Sequence, residues 1–142
     1  MKKIKIYFLT SLTVLFFATS TLSKNNYFTE AEKLFIQKKY SKSKFKFEKD
    51  IVFNPKNEKS YLYLAKIFNE EKNDIMEEQY LNTVILLNPK NEEAIFLLAL
   101  LKIKKSDYSE SEKLIKTFTK VCKILCKKKG ELNKKLESLQ IN

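Results

Sequence analysis

Cys122 and Cys126 are the residues of this chain best equipped for covalent or metal chemistry, and they stand four apart. A cysteine pair forms a disulfide in an oxidising compartment, or contributes thiolates to a zinc site. On a continuous helix, residues four apart hold their Cβ atoms about 5–6 Å from each other, against the roughly 3.8 Å that a disulfide prefers. A bridge therefore requires distortion, or a helix break before Lys127. Zinc lacks further ligands of its preferred kinds, because the chain has two cysteines and no histidine. The expectation is a pair of small apolar residues on a buried face beside Phe118 and Leu125.

The rest of the catalytic repertoire is equally thin. Without histidine there is no Ser-His-Asp or Cys-His pair. A single glycine, Gly130, cannot build a phosphate-cradling loop. The carboxylates are scattered along helix faces where nothing sets their pKa values apart. The chain reads as non-enzymatic, with no cofactor and no metal.

Charge offers a second candidate chemistry. There are 28 basic residues against 17 acidic ones, a formal net charge of +11, and every basic residue is lysine. Arginine is the better fork for phosphates and base edges, and its absence argues against nucleic-acid readout. Lys38, Lys39, Lys42, Lys44, Lys46 and Lys49 do alternate with Tyr40, Phe45 and Phe47, as in a single-strand groove. A solvated helix face with core residues showing between the lysines is the preferred reading.

Residues 1–23 form a segment of their own. Lys2, Lys3 and Lys5 precede an apolar stretch from Ile6 to Ala18, followed by small and hydroxyl residues up to Ser23. That order matches a secretory signal peptide, cleaved near Ala18-Thr19-Ser20. The uncharged run is also near the lower limit for spanning a bilayer, so membrane attachment through residues 4–22 stays open. Either version exports the folded part, periplasmic or membrane-anchored and facing the periplasm.

What positions these residues is a repeat. Asn54-Pro55-Lys56-Asn57-Glu58 returns unchanged as Asn88-Pro89-Lys90-Asn91-Glu92, 34 residues later. With one glycine, two prolines and no Asn-Gly or Asp-Gly pair, hairpins are disfavoured and an all-α fold follows. Asn57 and Asn91 are placed to cap one helix of each unit. Asp74–Glu77 and Asp107–Glu110 have capping-box spacing for the other. Helices are expected near residues 26–38 and 41–53 in a looser first unit. Gly130 fits a break before a final helix, residues 131–141, with Leu132, Leu136 and Leu139 in a stripe.

Tyr61, Leu64, Ala65 and Phe68 resemble the tetratricopeptide repeat, as do Leu81 and Pro89. Tyr27, Ala31, Leu34, Phe47 and Pro55 match in the first unit, and Ile95, Leu98, Ala99, Tyr108, Ser111 and Ile115 in the third. Glu30, Ser43, Lys102 and Lys123 depart from the pattern, and Glu77 replaces a small packing residue. The resemblance implies three stacked helix-turn-helix repeats (24–57, 58–91, 92–125) with a C-terminal capping helix in 126–142. It also implies a protein-protein interaction module whose first helices line a concave groove. The groove residues would be Phe28, Phe35, Leu62, Tyr63, Lys66, Phe96, Leu97, Leu100 and Ile103. The carboxylate clamp of one family subset is missing, so an apolar or amphipathic segment of a protein partner is the expected occupant. The alternative is a structural subunit of a membrane or envelope assembly complex. Nucleic acid is the weakest partner.

Overall fold

The computed structural model describes residues 26–140, of which the last two are placed in backbone only. The expected signal or anchor segment, residues 1–23, lies outside the described residues. Within them the order is α1 (Tyr27–Ile36), α2 (Tyr40–Phe53), α3 (Glu58–Glu70), α4 (Asp74–Leu87), α5 (Glu92–Lys104), α6 (Tyr108–Val121), a 3-10 turn (Cys126–Lys128) and α7 (Lys129–Gln140). Each consecutive pair is an antiparallel hairpin, and the three hairpins stack in chain order, with α7 packed on α5 and α6.

The period is written into the backbone. The turns inside the three hairpins each place one residue in the left-handed region, Lys38, Lys72 and Ser106, with φ of 56°, 56° and 58°. In each turn that residue donates its N–H three residues back, and the next residue donates five back: Lys39 to Leu34, Asn73 to Phe68, Asp107 to Lys102. These bonds satisfy the last carbonyls of the first helices. Glycine usually occupies such a site, and this chain fills it three times without one.

The caps are partly as expected. Asp107 and Asn91 accept from the N–H groups of Glu110 and Ala94. In the middle hairpin the cap is Asn73, which accepts from Met76, rather than Asp74, which is the first helical residue. Asn57 occupies a cap position but turns its amide to Asp50 at 2.7 Å. Buried Asp50 also accepts from Ser60 and Asn54, tying α2 to α3. Gly130 is not the helix break: it lies inside α7 without positive φ, and the break falls at residues 122–125.

Two apolar clusters result. The first packs Ala31, Phe47, Leu64 and Ile67 with the rings of Phe28, Phe35, Tyr40, Tyr63 and Tyr80. The second, largely aliphatic, runs from Leu62 through α5 to Phe118, Leu132 and Leu136. Glu77 does not separate the middle helices. It is buried, and both its carboxylate oxygens accept from the Asn69 side-chain amide nitrogen, at 3.1 and 3.0 Å.

Candidate partner-binding groove

The first helices of the three hairpins share one concave face. On α1, Phe28, Glu32 and Phe35 recur at four- and three-residue steps, one helical stripe. The corresponding stripes are Tyr63, Lys66 and Asn69 on α3, and Glu93, Leu97 and Leu100 on α5. Three adjoining clefts open along this face. One of about 490 Å³ lies among Glu32, Tyr63, Lys66, Glu93, Ile124 and Leu125. A second of about 240 Å³ is lined by Phe35, Lys66, Asn69, Glu77 and Leu97. The third, about 560 Å³, reaches from Asn69 and Glu77 past Leu97 and Leu100 to Lys135 of α7.

Tyr63 is the hub of the open half. Its ring stacks on Phe47 at 4.9 Å and meets Phe35 edge-on at 5.0 Å and Phe28 at 6.0 Å. Its hydroxyl donates to Glu32 at 2.8 Å. Burial, then the hydrogen bond to Glu32, pushes its pKa up to about 12. Lys66 bridges to Glu93 at 2.7 Å and holds its ammonium 5.0 Å from the Tyr63 ring. On the groove floor, burial lifts the Glu77 carboxyl above its ordinary value, against the pull of the Asn69 amide.

Six expected groove residues therefore gather here half-buried: Phe28, Phe35, Tyr63, Lys66, Leu97 and Leu100. Three do not. Leu62, Phe96 and Ile103 are 7 %, 3 % and 1 % exposed, and belong to the aliphatic core. Leu62 borders the first cleft and Ile103 the third, but both side chains pack inward. Phe96 lies against Phe118, with the Lys128 ammonium 4.6 Å from its ring. Glu32, Glu77 and Glu93 line the clefts together with Lys59, Lys66, Lys90, Lys104 and Lys135, so the groove is apolar with charges of both signs, and of these carboxylates Glu77 is the one not expected there. The usable signal was Glu77 itself, an acid where the repeat wants a small residue.

The cysteine expectation is also corrected. Cys122 and Cys126 form a disulfide, with Cα atoms 5.1 Å apart. Helix α6 stops at Val121 and Cys122 turns to an extended ψ of 141°, which supplies the break a bridge requires. The closed loop then offers the N–H groups of Lys123, Ile124 and Leu125 to the Glu92 carboxylate at 2.9 to 3.2 Å. Those amides, that of Leu125 foremost, hold the Glu92 pKa below its ordinary value.

No family model matches the chain, and no curated protein matches it. Solved structures do. The SycD type III secretion chaperone of Yersinia enterocolitica, in complex with a peptide of the translocator YopD, superposes with a TM-score of 0.74 at 12 % identity, covering 87 % of this chain and 97 % of that one. The fold is that of a tetratricopeptide-repeat array. The first TPR of Spaghetti (RPAP3), bound to an HSP90 peptide, gives 0.71 at 18 % identity, over 80 % of this chain and 93 % of its own. The Sgt2 TPR domain of Aspergillus fumigatus gives 0.70 at 15 %, over 86 % and 84 %.

The lysine-aromatic stretch on α2 is engaged within the array. Lys44 pairs with Glu71, Lys46 with Glu30, and the Lys49 ammonium sits 4.5 Å from the Phe45 ring, while Phe47 is fully buried.

Proposed function

We propose that this chain is a non-enzymatic protein-interaction module that holds a segment of a partner protein along its concave groove. The observation that carries the reading is the half-buried stripe of Phe28, Phe35, Tyr63, Leu97 and Leu100, continuous across three helices and cleft on both sides of Lys66. An amphipathic segment suits it, with apolar residues against that stripe and polar ones toward the charges of both signs that border it. The likeness to arrays solved with a bound peptide in two of the three cases above supports the same reading.

The Cys122–Cys126 disulfide supports export, because such bridges persist in oxidising compartments. It agrees with the lysine-rich start and apolar run of residues 1–23. The second reading, a subunit of an envelope assembly complex, draws on the same two observations.

A displayed library of amphipathic peptides tests the groove. Peptides enriched on the wild-type chain should lose binding on Leu97→Glu and Tyr63→Ala, and keep it on Gln79→Glu, which alters the exposed face of α4. Equal loss on all three variants, or no enrichment, would remove the groove as the binding surface.

A further inference from the structure

The two ends of the array differ in what they show to solvent. At one end lie Asn26, the two inter-repeat loops, the loop to α7 and the starts of α3 and α5, as the stacking of Tyr27 on Phe53 at 5.6 Å requires. Three acidic residues there turn inward onto the loops, while Glu30 pairs with Lys46 and Glu131 is exposed. Asp50 accepts from Asn54 and Asn57, Glu58 accepts from Asn88 at 3.0 Å, and Glu92 takes the amides of residues 123–125. Glu58 and Glu92 are one period apart, so this inward turn is built by the repeat.

Lysines at the same end remain outward. Lys56, Lys59, Lys90 and Lys123 are exposed, and among the described residues none has an ion-pair partner. Large apolar side chains stand beside them. Val52, Leu86 and Ile124 are 75 %, 81 % and 85 % exposed, with Phe53 and Leu87 adjoining. Val52–Phe53 and Leu86–Leu87 are again one period apart, ahead of each Asn-Pro loop. At the opposite end Ile36 and Ile75 are the exposed large apolar residues, Lys102, Lys104 and Lys105 are neutralised by Glu78 and Asp74, and Lys38, Lys39, Lys42 and Lys72 stay outward, so the two ends differ chiefly in their apolar side chains.

We infer that the Asn26 end of the array rests on an anionic lipid surface, with Val52, Phe53, Leu86, Leu87 and Ile124 entering the headgroup layer and Lys56, Lys59, Lys90 and Lys123 meeting lipid phosphates. Apolar side chains ringed by lysine are the chemistry of interfacial binding, and each lysine near such a surface adds attraction. Position supplies the second argument. The uncharged run from Ile6 to Ser23 is tethered to Asn26, so a segment retained in the bilayer delivers this end, and not the far one, to the headgroups. The groove face then stands upright on the membrane and open to a partner.

The chain has no tryptophan, so single tryptophans report without background. Full-length Leu86→Trp, Ile124→Trp, Ile36→Trp and Ile75→Trp proteins would be reconstituted with vesicles of phosphatidylcholine and brominated phosphatidylglycerol. Emission from Leu86→Trp and Ile124→Trp should be quenched several-fold more than from the far-end pair. Adding Lys56→Glu and Lys90→Glu to Leu86→Trp should restore its emission. Equal quenching at both ends, or none at Leu86 and Ile124, overturns the inference. So does equal quenching on wholly neutral brominated vesicles, which would remove the lysines from the contact. A concentration-dependent blue shift of Leu86→Trp without lipid would replace the membrane by a second copy of the chain.

Discussion

The two halves of the groove are built from matching positions and behave differently. Around α1 and α3 the wall is aromatic, and Phe28, Phe35 and Tyr63 stay half-exposed above buried Phe47. Around α5 the wall is aliphatic, and the disulfide loop, Lys128 and α7 cover part of it. Phe96 is repeat-equivalent to Leu62, Ile103 stands one turn beyond Ala99, and all belong to the core. An array can bury only faces that have a neighbour, so its last hairpin needs a cap, and the cap takes surface from the groove. A binding stripe cannot be copied from one repeat to the next without asking what lies over it.

The largest effect expected from this contrast is on stability. Ile103→Ala should cost about 2–5 kcal/mol as a buried large-to-small change. Leu100→Ala, three residues away and half-exposed, should cost a fraction of that in urea unfolding. Equal costs would mean the covered half extends over Leu100.

Next in size is the loop that closes the covered half. Replacing both Cys122 and Cys126 by serine should lower stability by about 2 kcal/mol, the value for a short closed loop in the chain-entropy account. Hydrogen exchange should also quicken at Lys123, Ile124 and Leu125, whose amides face Glu92. Unchanged exchange would assign the loop to Glu92 alone.

Glu77 lies between the halves and gives a pH signature. Its folded-state pKa is raised by burial, so the folded chain holds that proton more tightly than the unfolded chain. The contribution is fully present below the unfolded pKa and is lost as pH rises through the folded one. Glu78 and Glu92 act oppositely: their pKa values are lowered, by Lys102 and by loop amides, so their contributions fade as pH falls. Glu77→Gln should therefore be at least as stable as wild type at neutral pH and lose its advantage in acid. Destabilisation at every pH would show that the Asn69 contact requires the carboxylate.

The smallest effect tests whether the halves share a backbone. Lys72→Gly relieves a left-handed residue while adding freedom to the unfolded chain, for a net gain of a few tenths to about 1 kcal/mol. Lys38→Gly and Ser106→Gly should match it, because the three turns share φ and hydrogen bonds. Unequal gains would show that the hairpins differ in the turn as well as in their packing.

The groove was legible only in part. Phe28, Phe35, Tyr63, Lys66, Leu97 and Leu100 follow from the period, because a face repeats when its helix repeats. Leu62, Phe96 and Ile103 follow the same arithmetic and are buried, because α7 and the packing of α5 are absent from that arithmetic. Asn54 and Asn57 hold Asp50, whereas their copies Asn88 and Asn91 turn to Glu58. Val84 stands where a second Asp50 would be, so identical strings find different partners.

By itself the sequence determined the helical hairpins, their number, their stacking order and one shared face, since each rests on local periodicity and loop chemistry repeated along the chain. The tertiary structure decided which apolar residues are core, how Cys122 and Cys126 pair, where Gly130 falls, and what charge the groove carries. Those depend on which surfaces meet, and burial, hydrogen bonding and a carboxylate's pKa are properties of the neighbours a residue acquires rather than of its place in the chain.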